Sequence, residues 1–134
     1  MEDLVFRTNE LADWLLQTYA DYEIDSDHLV VVGYSNGATV ASSLLLLRSE
    51  VLTAIIGLRP SVPYVPEPLP NLRGKHALYI PGEQDTVVTP SQATQVAKIV
   101  SEAGGATTVA PVNSGHGLTP SDVVIAQQWL PTVI

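Results

Sequence analysis

The chain has 134 residues, 46% hydrophobic and 15% charged, with ten prolines and nine glycines. That composition is too apolar for disorder and sufficient for one domain, 1–134, with its own core. Six Lys and Arg against fourteen Asp and Glu give a formal charge of −8, which repels polyanions and disfavours nucleic acid as a partner. No cysteine is present, which removes disulfides, thiolate metal sites and a cysteine nucleophile. Nothing approaches the roughly 18 uninterrupted apolar residues of a membrane span. The acidic opening MEDLVFRTNE lacks a signal peptide's basic-then-apolar order, so a cytoplasmic protein without a membrane partner is expected.

Leu4, Leu11, Trp14, Leu15 and Tyr19 recur at near-helical spacing, which predicts an amphipathic helix over 3–20 with both Trp14 and the later Trp129 in the core. Asp21, Glu23, Asp25 and Asp27 alternate as in a calcium loop. Ser26 and Val32, however, stand where that loop needs a glycine and a bidentate acid, so a solvated turn is expected and no metal. Apolar or β-branched runs follow at 29–33, 52–58, 76–80 and 106–111; the first three do not alternate, the pattern of strands buried on both faces. Five prolines make 59–74 a loop, a possible lid over a site. Thr89-Pro90 with Gln92, and Thr119-Pro120 with Asp122, read as N-caps with proline at the first helical position, and Gly104-Gly105 as a helix stop. Alternating helices and strands with right-handed crossovers predict an α/β fold: a three-layer α/β/α sandwich on a short parallel sheet of about four strands.

Between the first strand and the next helix lies Gly33-Tyr34-Ser35-Asn36-Gly37, the G-x-S-x-G nucleophile elbow, whose glycines suit a tight turn that lifts Ser35 Oγ above the sheet. A serine capping a buried helix would fit the same letters. A serine nucleophile needs a histidine base held by a carboxylate. His116, in NSGHGLT after the last strand, and Asp85, in IPGEQDTVV after the third, both follow strand carboxyl ends, where ligand sites of parallel sheets gather. His28 and His76 lie at strand starts, and Glu83 is the rival acid. The order Ser35, Asp85, His116 is nucleophile, acid, base.

On VVGYSNGATVASSLLL, IPGEQDTVVTP and SGHGLTPSD before AQQWL, the chain resembles the α/β-hydrolase superfamily, in its branch of small serine carboxylesterases and phospholipase-like proteins, over nearly its whole length. The resemblance implies ester hydrolysis with Ser35 as nucleophile, His116 as base, Asp85 as its orienter, the Asn36 N–H as oxyanion donor and no cofactor. Relatives of this kind carry several strands before the helix that starts here, and a loop among them supplies the second oxyanion N–H. A truncated α/β-hydrolase fold with one identifiable donor is therefore expected, and with it a slow enzyme, since one donor is worth about 10²–10³ in turnover. The strand at 29–33 should lie at an open edge, which predicts a homodimer or higher homo-oligomer through that side, lending the absent donor. Tyr34, Val62 and Tyr64 are expected to touch the substrate, a small-molecule ester with a short acyl chain. Arg59 fits either an acidic substrate group or the bare surface. The alternatives are an acyl thioesterase, or a non-catalytic or weakly active module kept for association or ligand binding.

Overall fold

A computed structural model describes residues 2–134. Along it run α1 (Glu2–Tyr22), β1 (Val30–Tyr34), α2 (Asn36–Leu47), β2 (Ala54–Leu58), β3 (His76–Ile80), α3 (Ser91–Glu102), β4 (Ala106–Val109) and α4 (Pro120–Trp129). The strands form one parallel sheet in the order β1-β2-β3-β4, so the α/β sandwich read from the sequence is the fold observed.

Successive strand residues face opposite sides, and the two faces are covered unequally. Ile55 of β2, with Ala77 and Tyr79 of β3, packs against Ala12 and Tyr19 of α1, Leu44 and Leu45 of α2, and Val96 and Val100 of α3. Ile56, Leu58, Leu78 and Ile80 face Ile125, Ala126 and Trp129 of α4. All five residues of β2 are buried, as its unbroken apolar run predicts. β1 is not: it lies at the sheet edge and Val32 is 60% exposed. Beside Val32, a cavity of about 270 Å³ opens between Ile56 and Leu58 and the Val123–Ala126 face of α4.

Two expectations need correction. Trp14 is 61% exposed, because the stripe of α1 that meets the core runs Thr8, Ala12, Leu15 and Tyr19, and Trp14 projects roughly a third of a turn away from it. Thr8 Oγ1 bonds Ser43 Oγ at 2.8 Å and the Tyr19 hydroxyl donates to Val51 O at 2.7 Å, which settles the seated face. Trp129 does pack against the sheet. The second concerns α3, which begins at Ser91 with Pro90 as its cap residue; Thr89 shares a hydrogen bond with Ser91 Oγ, and Gln92 accepts from the Val62 N–H instead of turning back to the helix. That bond, with Leu72 N–H to Ala103 O at 2.8 Å, ties both ends of the proline loop to α3. No helix among the described residues is long and apolar enough to cross a membrane.

Candidate active site

β1 ends in a turn whose backbone is unusual. Ser35 has φ 57° and ψ −116°, a conformation side-chain-bearing residues rarely adopt, and strain of this sort persists only where the surroundings enforce it. Here the Ser35 N–H extends the sheet by donating to Leu58 O at 2.8 Å, while its C=O accepts from Ala38 and Thr39 and starts α2. The hydroxyl is thus held where strand becomes helix. Of the two glycines, Gly33 is sterically required: a Cβ there would lie 2.2 Å from Gly37 O. Gly37 is not, since a Cβ there meets nothing within 4 Å outside its own helix. Asn36, as the first residue of α2, presents an N–H with no helical acceptor, at the positive end of the helix dipole.

The turn after β3 brings Asp85 to the same rim. It is buried at 4% exposure, and its Oδ1 accepts from the Val87 and Val88 N–H groups at 2.8 and 2.9 Å. Its Oδ2 meets His116 Nδ1 at 2.8 Å. Burial alone would raise this carboxyl, but the Val88, His116 and Val87 hydrogen bonds outweigh it and hold Asp85 below the usual range. An ionised carboxylate only accepts, so His116 Nδ1 is the donor in this contact, and in the neutral ring that tautomer leaves the lone pair on Nε2. Nε2 lies 3.1 Å from Ser35 Oγ. Residues 35, 85 and 116 therefore form one continuous chain of hydrogen bonds along the carboxyl edge of the sheet. The rivals lie elsewhere: Glu83 is exposed, His28 pairs with Asp25 on the surface, and His76 opens β3 at the opposite edge.

The loop that carries His116 is held from below. Tyr34 sits against the ring, centroids 5.4 Å apart, and its hydroxyl donates to His116 O at 3.0 Å. Arg59, directly after β2, is 1% exposed, which overturns both a surface and a substrate-facing reading. Its Nε donates to Gly115 O at 3.0 Å and Nη2 to Gly117 O at 2.8 Å. Nη1 reaches Ile80 O at 3.1 Å, and Nη1 and Nη2 meet the Asp122 oxygens at 2.7 and 3.0 Å. Asp122 also accepts from the Thr119 N–H at 2.7 Å, the cap anticipated for α4. Burial would raise Asp122, but Arg59 and Thr119 together keep it low. Of the other two residues expected against the substrate, Val62 is half-buried and tied to Gln92, and Tyr64 lines a groove with Val5, Phe6 and Asn9 of α1. Among the described residues, neither contacts Ser35 or His116 by a hydrogen bond.

No family model matches the chain. It is 30% identical over 133 residues, 99% of its length, to "Putative hydrolase MhqD" of Bacillus subtilis (strain 168), and covers 66% of that protein. Its structure is similar to that of the Bacillus cereus carboxylesterase, with TM-score 0.94 and 32% identity over 99% of this chain and 63% of that one. It is also similar to a carboxylesterase from Mesorhizobium loti, with TM-score 0.88 and 27% identity over 97% and 62%. The chain thus spans just under two thirds of the length of each of these proteins. With its four-stranded parallel sheet and these similarities over nearly its whole length, the chain belongs to the α/β-hydrolase superfamily.

Proposed function

We propose that residues 1–134 act as a truncated hydrolase domain, a cytoplasmic serine carboxylesterase that cleaves small, short-acyl carboxylic esters. The observation that carries this reading is the unbroken path from Ser35 Oγ through the His116 ring to Asp85, at 3.1 and 2.8 Å. The carboxylesterase neighbours support hydrolase chemistry on this scaffold. His116 Nε2 takes the Ser35 proton as Oγ bonds to the ester carbonyl carbon, and Asp85 stabilises the imidazolium. The Asn36 N–H and the α2 dipole face the oxygen that gains charge. Nε2 then gives its proton to the departing alkoxide as the carbon–oxygen bond breaks, leaving an acyl-serine and an alcohol. Water repeats the sequence, losing a proton to Nε2, and acid leaves as Ser35 regains its own.

The test is labelling of Ser35 by a fluorophosphonate probe, with Ser35→Ala and His116→Ala as controls. Labelling of the wild type and of neither variant supports the reading; an unlabelled wild type overturns it. With one oxyanion donor identified among the described residues, a second reading is a weakly active or non-catalytic association module. A folded chain that binds no probe and hydrolyses no p-nitrophenyl or thioester substrate would favour that module.

A further inference from the structure

We infer that Arg59, paired with Asp122, is a positioning residue for His116: a buried fork that sets the height and orientation of the histidine loop. The inference rests on the proposed role of His116. A guanidinium has five N–H donors, and here each has an acceptor: Gly115 O, Gly117 O, Ile80 O and the two Asp122 oxygens. Two of those acceptors are the carbonyls either side of His116, and the carbonyl between them is held by the Tyr34 hydroxyl. Three consecutive loop carbonyls are therefore gripped by side chains from the ends of β1 and β2, so the imidazole is referenced to the strand that carries Ser35.

The backbone of Arg59 supports the same conclusion. Its φ is 56°, in the left-handed region, and its N–H donates to Ile80 O at 2.9 Å, which turns the side chain beneath the loop instead of out along the sheet. A fully buried ion pair is weak evidence for stability, since well-packed apolar residues of similar volume often serve as well. What apolar residues cannot do is hold carbonyls in place. Lysine is no substitute either, because one ammonium cannot span two carbonyls and a carboxylate in a plane.

The experiment compares the full chain with Arg59→Lys and with Arg59→Met/Asp122→Leu, which removes both charges together so that neither is left buried alone. Circular dichroism reports folding, long-range ¹H–¹⁵N spectra of the His116 ring report which nitrogen carries the proton, and fluorophosphonate labelling reports the reactivity of Ser35. Expected are folded variants whose ring loses the Nδ1–H form, whose labelling slows about 10²-fold, and whose p-nitrophenyl ester hydrolysis loses kcat with KM unchanged. A folded double variant with the wild-type ring spectrum overturns the inference. If the double variant does not fold, Arg59→Lys decides: wild-type spectrum and rate overturn the inference, loss of both sustains it. An unlabelled wild type defeats the catalytic reading alone, because the ring spectra still decide the positioning.

Discussion

The Cα of Gly33 lies so close to Gly37 that an added Cβ would sit 2.2 Å from the Gly37 carbonyl oxygen. The neighbouring atoms are backbone and begin a helix, so they cannot rotate aside. Gly33→Ala is expected to cost about 1–3 kcal/mol in urea unfolding, as overpacking does, and to slow probe labelling of Ser35 by displacing the elbow. Gly37→Ala should do the opposite. It adds a methyl in open space within a helix, and a gain of about 0.5–1 kcal/mol with labelling retained is expected.

Asp85→Asn replaces a pure acceptor by an amide that can donate to Nδ1 and so favour the wrong tautomer. Ester hydrolysis should fall by about 10⁴-fold in kcat. The amide oxygen can still take the Val87 and Val88 N–H groups, so the variant should stay folded, losing only the stability that the carboxylate charge adds. A variant with more than a tenth of wild-type turnover would contradict the orienting role.

Asp85 and Asp122 are both held below their ordinary range. A depressed folded-state pKa means that the unfolded chain takes up the proton first as pH falls. Their contribution is therefore present above the unfolded value of about 3.9 and is lost as pH drops through the lower folded values. Urea midpoints measured between pH 3 and 7 should fall steeply below about pH 4. A midpoint that rose on acidification through that window would contradict the sign.

The p-nitrophenyl ester series should peak at acetate to butyrate and decline with longer chains. The Val62 N–H is bound to Gln92 of α3 and Tyr64 lines a groove with α1, which ties the proline loop to the helices. A preference for long-chain esters would contradict this.

The edge of β1 carries backbone groups facing away from β2, with Val32 exposed beside an apolar cavity. A second copy is the expected partner: two β1 strands related by a two-fold axis can pair antiparallel and bring each Val32 toward the other's α4. Light scattering should give a dimer mass at micromolar concentration, and Val32→Lys should shift it to monomer. A monodisperse wild-type monomer would contradict the association.

Much of this architecture was legible because its signals are local. The limits of β3 at 76–80 and the cap at Thr119–Asp122 follow from apolar runs and from a proline beside a capping pair. The Ser35–Asp85–His116 rim followed from one rule, that loops after parallel strands meet at a single edge. What was not legible depends on tertiary partners. Arg59 reads as a surface or substrate-facing residue because arginine is seldom buried; only the approach of the 115–117 loop and Asp122 makes burial tolerable. Trp14 misleads because its spacing resembles that of Leu11, Leu15 and Tyr19, yet it lies roughly a third of a turn from the face that meets the core. Asp122 was visible as a cap, but its second bond, to a residue 63 positions away, has no local signature.

In the β1–β2 register Gly33 lies opposite Gly57, and Ala38 of α2 rests over that pair: its N would be 2.7 Å from a Cβ at 33 and its Cβ 3.6 Å from one at 57. Helix and sheet therefore meet here almost backbone to backbone, with no layer of side chains between. A bulkier residue at 38 would lever the start of α2 upward and carry the hydroxyl at 35 out of reach of the imidazole, with every polar group of the site intact. How far that oxygen stands above the strands is decided by three positions with almost no side chain.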